Sequence, residues 1–170
     1  MKILFIYPTT GRFEIAPDVR LRTGAFLPPL GILYLAKILE LSGHSVEVID
    51  CNAEGFHEDT IKKALWSSDA VGMTIYSVPE ELENSKAIAK KIKHIAPDIP
   101  LILGGPHCTM FPKQSLLDHQ GDICVRGEAE HNISAIIEAL EGKRRLSSIP
   151  GIAYRQKKTN LYDTSKSTNS

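Results

Sequence analysis

Leu101-Ile102-Leu103-Gly104-Gly105-Pro106-His107 is a short apolar run that stops at two glycines, a proline and a histidine. An apolar run of this length bounded by turn residues reads as a strand buried on both faces in a parallel sheet. In an open α/β sheet the ligand lies just beyond the carboxyl ends of the strands. Two adjacent residues without Cβ at such an end let a large group press against the backbone. The stretch thus predicts both a fold class and the place where function resides.

Outward from it, apolar strands alternate with helical patterns, the signature of βαβ units around a parallel sheet. Strands are expected at residues 2–7, 45–50, 70–76, 100–103 and 122–125. Between the first two, Pro28-Pro29-Leu30-Gly31-Ile32-Leu33-Tyr34-Leu35-Ala36-Lys37-Ile38-Leu39-Glu40-Leu41-Ser42-Gly43 starts with prolines and ends at a glycine, as helix termini prefer. It is apolar almost all round, which predicts heavy burial. A second helix is expected at 57–67. For a third, Ser77 and Glu80 have capping-box spacing, and Leu82, Ser85, Ala89, Ile92 and Ala96 follow at helical intervals. Its Lys86, Lys90, Lys91 and Lys93 read as a solvated face.

A short helix is expected at 113–118 and a fifth at 129–141, with Ile133, Ile136, Ile137 and Leu140 inward and Gly142 as its stop. The fold class is therefore α/β: a three-layer, doubly wound, five-stranded parallel sheet in the flavodoxin-like order 2-1-3-4-5. Residues 149–155 are a candidate extra edge strand near the C-terminus. Residues 1–155 read as one domain and 156–170, rich in Lys, Ser, Thr and Asn, as a polar tail or linker without structure of its own.

The 170 residues are 42% hydrophobic and carry 20 basic against 20 acidic side chains, which suits one globular domain. Zero net charge, with no basic block beyond Lys143-Arg144-Arg145, argues against nucleic acid and anionic membrane as partners. The apolar start is too short for a signal peptide, and no segment approaches the roughly 20 apolar residues of a membrane span, so a cytoplasmic protein is expected. Cys51, Cys108 and Cys124 are odd in number and far apart, which predicts reduced thiols in place of a disulfide framework or a Cys-x-x-Cys metal knuckle.

In the expected strand order the switch point lies between the first and third strands. Its rim carries Pro8-Thr9-Thr10-Gly11, Thr74-Ile75-Tyr76-Ser77 and Gly104-Gly105-Pro106-His107, with Arg126-Gly127-Glu128 one strand farther out. The first connection, 8–27, is far longer than the usual run of about 2 to 6 residues, and long loops of this kind are commonly functional. A dinucleotide site needs G-x-G-x-x-G after the first strand, where this chain has Pro8-Thr9-Thr10-Gly11-Arg12-Phe13. A Walker A loop is also absent, and no acids cluster after Tyr7 as receiver-type phosphorylation requires. Without the glycines, Asp50 loses the case for a ribose-binding acid. The rim is neutral, hydroxyl-bearing and glycine-rich, and it suits a large uncharged surface.

At this point the chain resembles the N-terminal cobalamin (B12)-binding domain of B12-dependent radical S-adenosylmethionine (SAM) proteins, a group of methyltransferases and an anaerobic magnesium-protoporphyrin monomethyl ester cyclase. The resemblance rests on Lys2-Ile3-Leu4-Phe5-Ile6-Tyr7-Pro8, on Pro28 to Ala36, on Gly43-His44-Ser45-Val46-Glu47-Val48-Ile49-Asp50 and on Val71-Gly72-Met73-Thr74. It continues through Leu103 to His107, Val125-Arg126-Gly127-Glu128-Ala129-Glu130 and Ile149 to Arg155. Order and spacing together carry it.

The resemblance implies that a corrinoid's nucleotide tail enters the cleft beside Thr74, Ile75, Tyr76 and Ser77 and beside Gly104, Gly105, Pro106 and His107. Thr74 would stand where the family has serine, and side chains at the glycines would collide with the benzimidazole. Thr9 and Thr10 stand where histidine-ligating B12 proteins begin Asp-x-His-x-x-Gly, so the cobalamin would be base-off without a histidine from that loop. No catalytic residue and no metal ligand is expected in the chain itself. His107 reads as a hydrogen bonder to backbone or tail ahead of a cobalt ligand. Thr74 divides between backbone and ligand, Ser77 leans to helix start, and Gly127 and Glu128 either cap the fifth helix or touch the corrin edge.

The three cysteines cannot supply the Cys-x-x-x-Cys-x-x-Cys that holds a radical SAM 4Fe–4S cluster. The cluster and SAM would then belong to a C-terminal radical SAM domain joined in cis. Two other readings stand beside this one: a cofactor-free docking module of the same fold, and a flavin- or nucleotide-binding flavodoxin-like domain.

Overall fold

The computed structural model describes residues 1–8, 28–156 and 160–164. Five parallel strands, β1 (Lys2–Tyr7), β2 (Ser45–Asp50), β3 (Ala70–Thr74), β4 (Leu101–Gly104) and β5 (Ile123–Val125), lie in the expected order 2-1-3-4-5. Two further strands, β6 (Ile152–Gln156) and β7 (Asn160–Asp163), extend the sheet antiparallel beyond β5. In register, Thr74 is paired with Gly104 and Tyr7 with Asp50, so the carboxyl ends of neighbouring strands finish at one level.

The sheet is apolar on both faces, as a parallel sheet covered by helices must be. On one face Leu4, Ile6, Val71, Met73, Leu101 and Leu103 pack beneath α2 (Glu58–Trp66) and α3 (Pro79–Ile95), together with α4 (Pro106–Met110) and α5 (Pro112–Asp118). On the other, Ile3, Phe5, Ile102, Ile123 and Val125 pack beneath α1 (Leu30–Leu41) and α6 (Ile133–Leu140). This is the expected three-layer arrangement. Among the described residues no helix is long and apolar enough to cross a membrane.

Several expectations are corrected. The first helix is not heavily buried: only Ile32, Ala36 and Leu39 are, while Leu30, Leu33, Tyr34 and Leu41 are exposed. The sheet covers one stripe of α1, and no described element covers its outer side. The third strand ends at Thr74, before Tyr76. Ser77 does not cap α3, because Pro79 occupies the first helical position, Val78 becomes the cap residue and no side-chain cap bond forms. Lys93 is not a solvated residue of α3. Its Nζ donates to Asp122 Oδ2 at 2.6 Å and to the Ile99 carbonyl at 2.7 Å, with the side chain 10% exposed.

The fifth helix is split into a 3-10 turn (Ala129–His131) and α6. The polar tail is not structureless throughout, since Asn160–Asp163 pairs with β6 and Tyr162 stacks on Tyr154 at 5.4 Å. Residues 157–159 and 165–170 of that tail lie outside the described residues. All three cysteines are free and buried. Burial and nearby carboxylates push the Cys51 thiol up to about 12, and a hydrogen bond with Cys108, together with burial, pushes Cys124 up as well.

Candidate functional site

A cleft of about 500 Å³ opens between α1 and the 3-10 turn leading into α6, over β1, β3, β4 and β5. It lies on the side of the sheet that, among the described residues, α1 and α6 cover, where these two helices leave part of the sheet face uncovered. Phe5, Ile102 and Val125 make an apolar floor, Leu30, Ile32 and Leu35 of α1 one wall, and Ala129, Glu130 and Ile133 the other. Its size lies within the ~300–1,000 Å³ of small-molecule sites, and an apolar lining with a few polar groups is their usual composition.

Six of the residues singled out from sequence line it: Thr74, Tyr76, Gly104, Gly105, Gly127 and Glu128. Four do not. Ile75 is fully buried in the core of the opposite face, where its backbone N–H donates to the Gly104 carbonyl at 2.8 Å. Ser77 and His107 are turned toward each other, Oγ to Nδ1 at 3.3 Å, and Pro106 only starts α4. Burial lowers the His107 imidazole below its ordinary range, and the ring packs against Phe111 at 5.3 Å. Thr9 and Thr10 lie outside the described residues.

The two adjacent glycines have different physical reasons. A Cβ at Gly104 would meet nothing within 4 Å. Strand alternation puts it on the face of Ile102, the floor of the cleft, so the absent side chain is space inside the cleft. Gly105 has φ +102°, and a Cβ there would stand 2.7 Å from both the Ile75 carbonyl oxygen and Thr74 Oγ1. The clash at Gly105 is therefore with the protein's own Ile75 carbonyl and Thr74 side chain, and the open space in the cleft is at Gly104.

At the far rim, the Gly127 N–H donates to Thr109 Oγ1 at 2.9 Å, and Thr109 Oγ1 donates to the Gly105 carbonyl at 3.3 Å. This ties the loop after β5 to the loop after β4. Glu128 makes no side-chain cap bond to the turn that follows it and faces the cleft.

Sequence reasoning missed the α1 wall and Glu130. The Glu130 Oε2 atom is buried in the cleft wall without a hydrogen-bond partner among the described residues. A buried carboxylate oxygen without a partner is costly, and a ligand donor would relieve it. Tyr7 and Tyr76, both lining the cleft, meet edge to face at 6.2 Å. Burial and their mutual hydrogen bond raise the Tyr7 phenol, which stays protonated and uncharged. Among the described residues no group of three or more His, Cys, Asp or Glu is placed to hold a metal ion.

Comparison with known proteins gives a consistent result. The B12 binding domain family matches residues 17–137. An uncharacterized methyltransferase of Pyrococcus horikoshii is 32% identical over 159 residues, covering 92% of this chain and 33% of that protein. The anaerobic magnesium-protoporphyrin IX monomethyl ester cyclase of Rubrivivax gelatinosus is 31% identical over 164 residues, covering 91% and 28%. This chain thus spans about a third of the length of the curated relatives it matches. Among solved structures, the radical SAM methyltransferase TsrM of Kitasatospora setae, with cobalamin and a 4Fe–4S cluster bound, superposes with a TM-score of 0.69 at 20% identity. The match covers 96% of this chain and 28% of that one, a likeness of fold.

Proposed function

The chain belongs to the B12 binding domain family and is a cobalamin-binding module, and from that premise we propose that it holds a corrinoid's nucleotide tail in the α1–α6 cleft and presents the macrocycle to a radical SAM domain joined in cis. The observation that carries the reading is the open space at Gly104 in the same cleft as a buried Glu130 oxygen that has no partner among the described residues. Family membership favours cobalamin over the flavin and cofactor-free readings.

The residues present fit the group. The space left by Gly104 and the apolar floor of Phe5, Ile102 and Val125 take a flat heteroaromatic base and exclude water from it. Thr74 and Glu130 offer oxygen acceptors, the second already stripped of water, for hydroxyl and amide donors on the tail and ring edge. The cavity volume suits the tail, and Tyr7, Tyr76 and Glu128 would flank the macrocycle. When bound, the corrinoid supplies the cobalt chemistry, and this chain supplies binding and orientation. His107, turned away from the cleft, is not proposed as a cobalt ligand.

The 4Fe–4S cluster and SAM would belong to the further domain, and the longer polypeptide would be a methyltransferase or oxidative cyclase of this group. A cytoplasmic location is part of the proposal, with three buried free thiols in keeping with a reducing compartment. The test is titration of the chain with hydroxocobalamin, followed by its visible spectrum and by co-migration on gel filtration. A shifted spectrum and stoichiometric co-migration are expected. Free-cobalamin spectrum and mobility at high micromolar protein would overturn the site. A Cys-x-x-x-Cys-x-x-Cys in the reading frame beyond Ser170 would support the partner in cis, and its absence would remove it.

A further inference from the structure

The loop that leaves β3 carries Tyr76 into the cleft, and it is seated on the end of β4 and the start of α4 at three points. The Ile75 N–H donates to the Gly104 carbonyl at 2.8 Å, and the His107 N–H donates to the Ile75 carbonyl at 3.2 Å. Close approach at these two points is what the missing Cβ of Gly105 permits. Both bonds hold Ile75, on the core side of Tyr76. On the other side of Tyr76 the third point is a side-chain bond, Ser77 Oγ to His107 Nδ1 at 3.3 Å.

The chemistry around this pair is specific. Ser77 has the residue type and place of a helix cap, but Pro79 at the first turn moves the cap to Val78 and leaves the hydroxyl for another partner. His107 is 8% exposed, packed by Phe111 and outside the cleft lining, so its imidazole is held for Ser77 and not for ligand. The neighbouring buried imidazole, His119, is satisfied separately by Ser85 and by the Ser115 carbonyl.

We propose that His107 is a positioning residue for the corrinoid cleft, acting through Ser77 to clamp the β3–α3 loop so that Tyr76 faces the ligand in one geometry. The inference rests on the cobalamin reading. It makes His107 necessary for affinity without contact between its side chain and the cofactor.

The test compares hydroxocobalamin affinity of the whole chain with that of Ser77→Ala, His107→Ala, the double variant and His107→Asn. Asparagine is chosen because its amide reaches the place of Nδ1. Each alanine variant should weaken binding about fivefold to tenfold, the loss of one hydrogen bond, and the double variant no more than either single one. His107→Asn should recover most of the affinity. In the free protein, amide exchange at Ser77 and Val78 should quicken in Ser77→Ala while its thermal midpoint stays near that of the parent. If His107→Ala fails to fold, Ser77→Ala and His107→Asn carry the test.

Unchanged affinity in Ser77→Ala, additive losses in the double variant, or losses that only follow thermal destabilisation would each overturn the clamp while leaving cobalamin binding intact. A parent chain that binds no hydroxocobalamin would instead overturn the cobalamin reading, and the clamp with it.

Discussion

The ring of Phe5 occupies the place where a side chain on Gly72 would stand: a Cβ at Gly72 would fall 2.4 Å from Cε1 of Phe5. Both residues line the cleft, on paired strands β1 and β3. The floor is thus continuous because one strand gives up its side chain to the aromatic ring of its neighbour.

Gly72→Ala should therefore destabilise the protein by about 1–3 kcal/mol, the range for overpacking a core, because the ring must shift. A ring pushed into the cleft would also weaken cobalamin binding. Urea denaturation with and without hydroxocobalamin checks both, and unchanged stability would contradict the packing described for Phe5.

The glycines after β4 should separate in experiment. Gly104→Leu is expected to fold with stability within about 1 kcal/mol of the parent, since its side chain enters open space, yet to lose most cobalamin affinity. Gly105→Ala should cost about 1–3 kcal/mol or more through its positive φ and its contact with the Ile75 carbonyl, before any ligand is added. Paired denaturation and visible-spectrum titrations distinguish them, and equal behaviour of the two would refute the division.

Removing the unpartnered Glu130 oxygen should help the free protein and harm the complex. Glu130→Met is expected to match or exceed the parent in thermal stability and to bind hydroxocobalamin several-fold more weakly, in line with about 1 kcal/mol for a lost hydrogen bond. Tighter binding by this variant would show that Glu130 faces no donor.

His119 gives a pH signature. Burial lowers its pKa from 6.5 to about 4 in the fold. With the ring neutral, Nδ1–H donates to the Ser115 carbonyl, and Nε2 lies 2.9 Å from Ser85 Oγ, whose hydroxyl donates to the Leu82 carbonyl. A base whose folded pKa is depressed contributes stability that is fully present above 6.5 and is lost as pH falls from there toward 4. The difference corresponds to about 3 kcal/mol. Glu58, held at about 2 by hydrogen bonds from Lys62 and Lys91, acts only below about 4.5, so the two windows separate. Denaturation curves at pH 7 and pH 4.5 should show a smaller drop for His119→Gln than for the parent; equal drops would remove His119 as the cause.

Much of this architecture was legible because it is written in local pattern. The bounds of β1 and β2, the parallel order and the rim at Thr74 and Gly104 follow from apolar runs and the residues that end them. What escaped depends on tertiary partners. Leu33 of α1 is as apolar as Ile32, and only the number of layers above the sheet decides which of them meets water. Ser77 fits a cap until the spacing of Pro79 and the arrival of His107 from 30 residues away redirect it. Glu130 stood within the stretch that carried the family resemblance, but residue type alone did not show that one oxygen would be sealed from water. In the tail, the adjacent pair Leu161-Tyr162 was the available sign of β7, too short to outweigh the surrounding Lys, Ser and Thr.

The outer side of α1 also governs how this chain behaves among its own copies. Leu30 and Leu41, 72% and 77% exposed, mark the two ends of a helix flank, largely apolar apart from the Lys37–Glu40 pair, that no other described element covers, and the chain's formal charge is zero at pH 7. Neutral solution removes the long-range repulsion that keeps proteins dispersed, at the same pH where the histidine network is most stable. The conditions that best preserve the fold are thus those in which its colloidal protection is weakest, and salt, which screens only charge, does nothing to shield the flank.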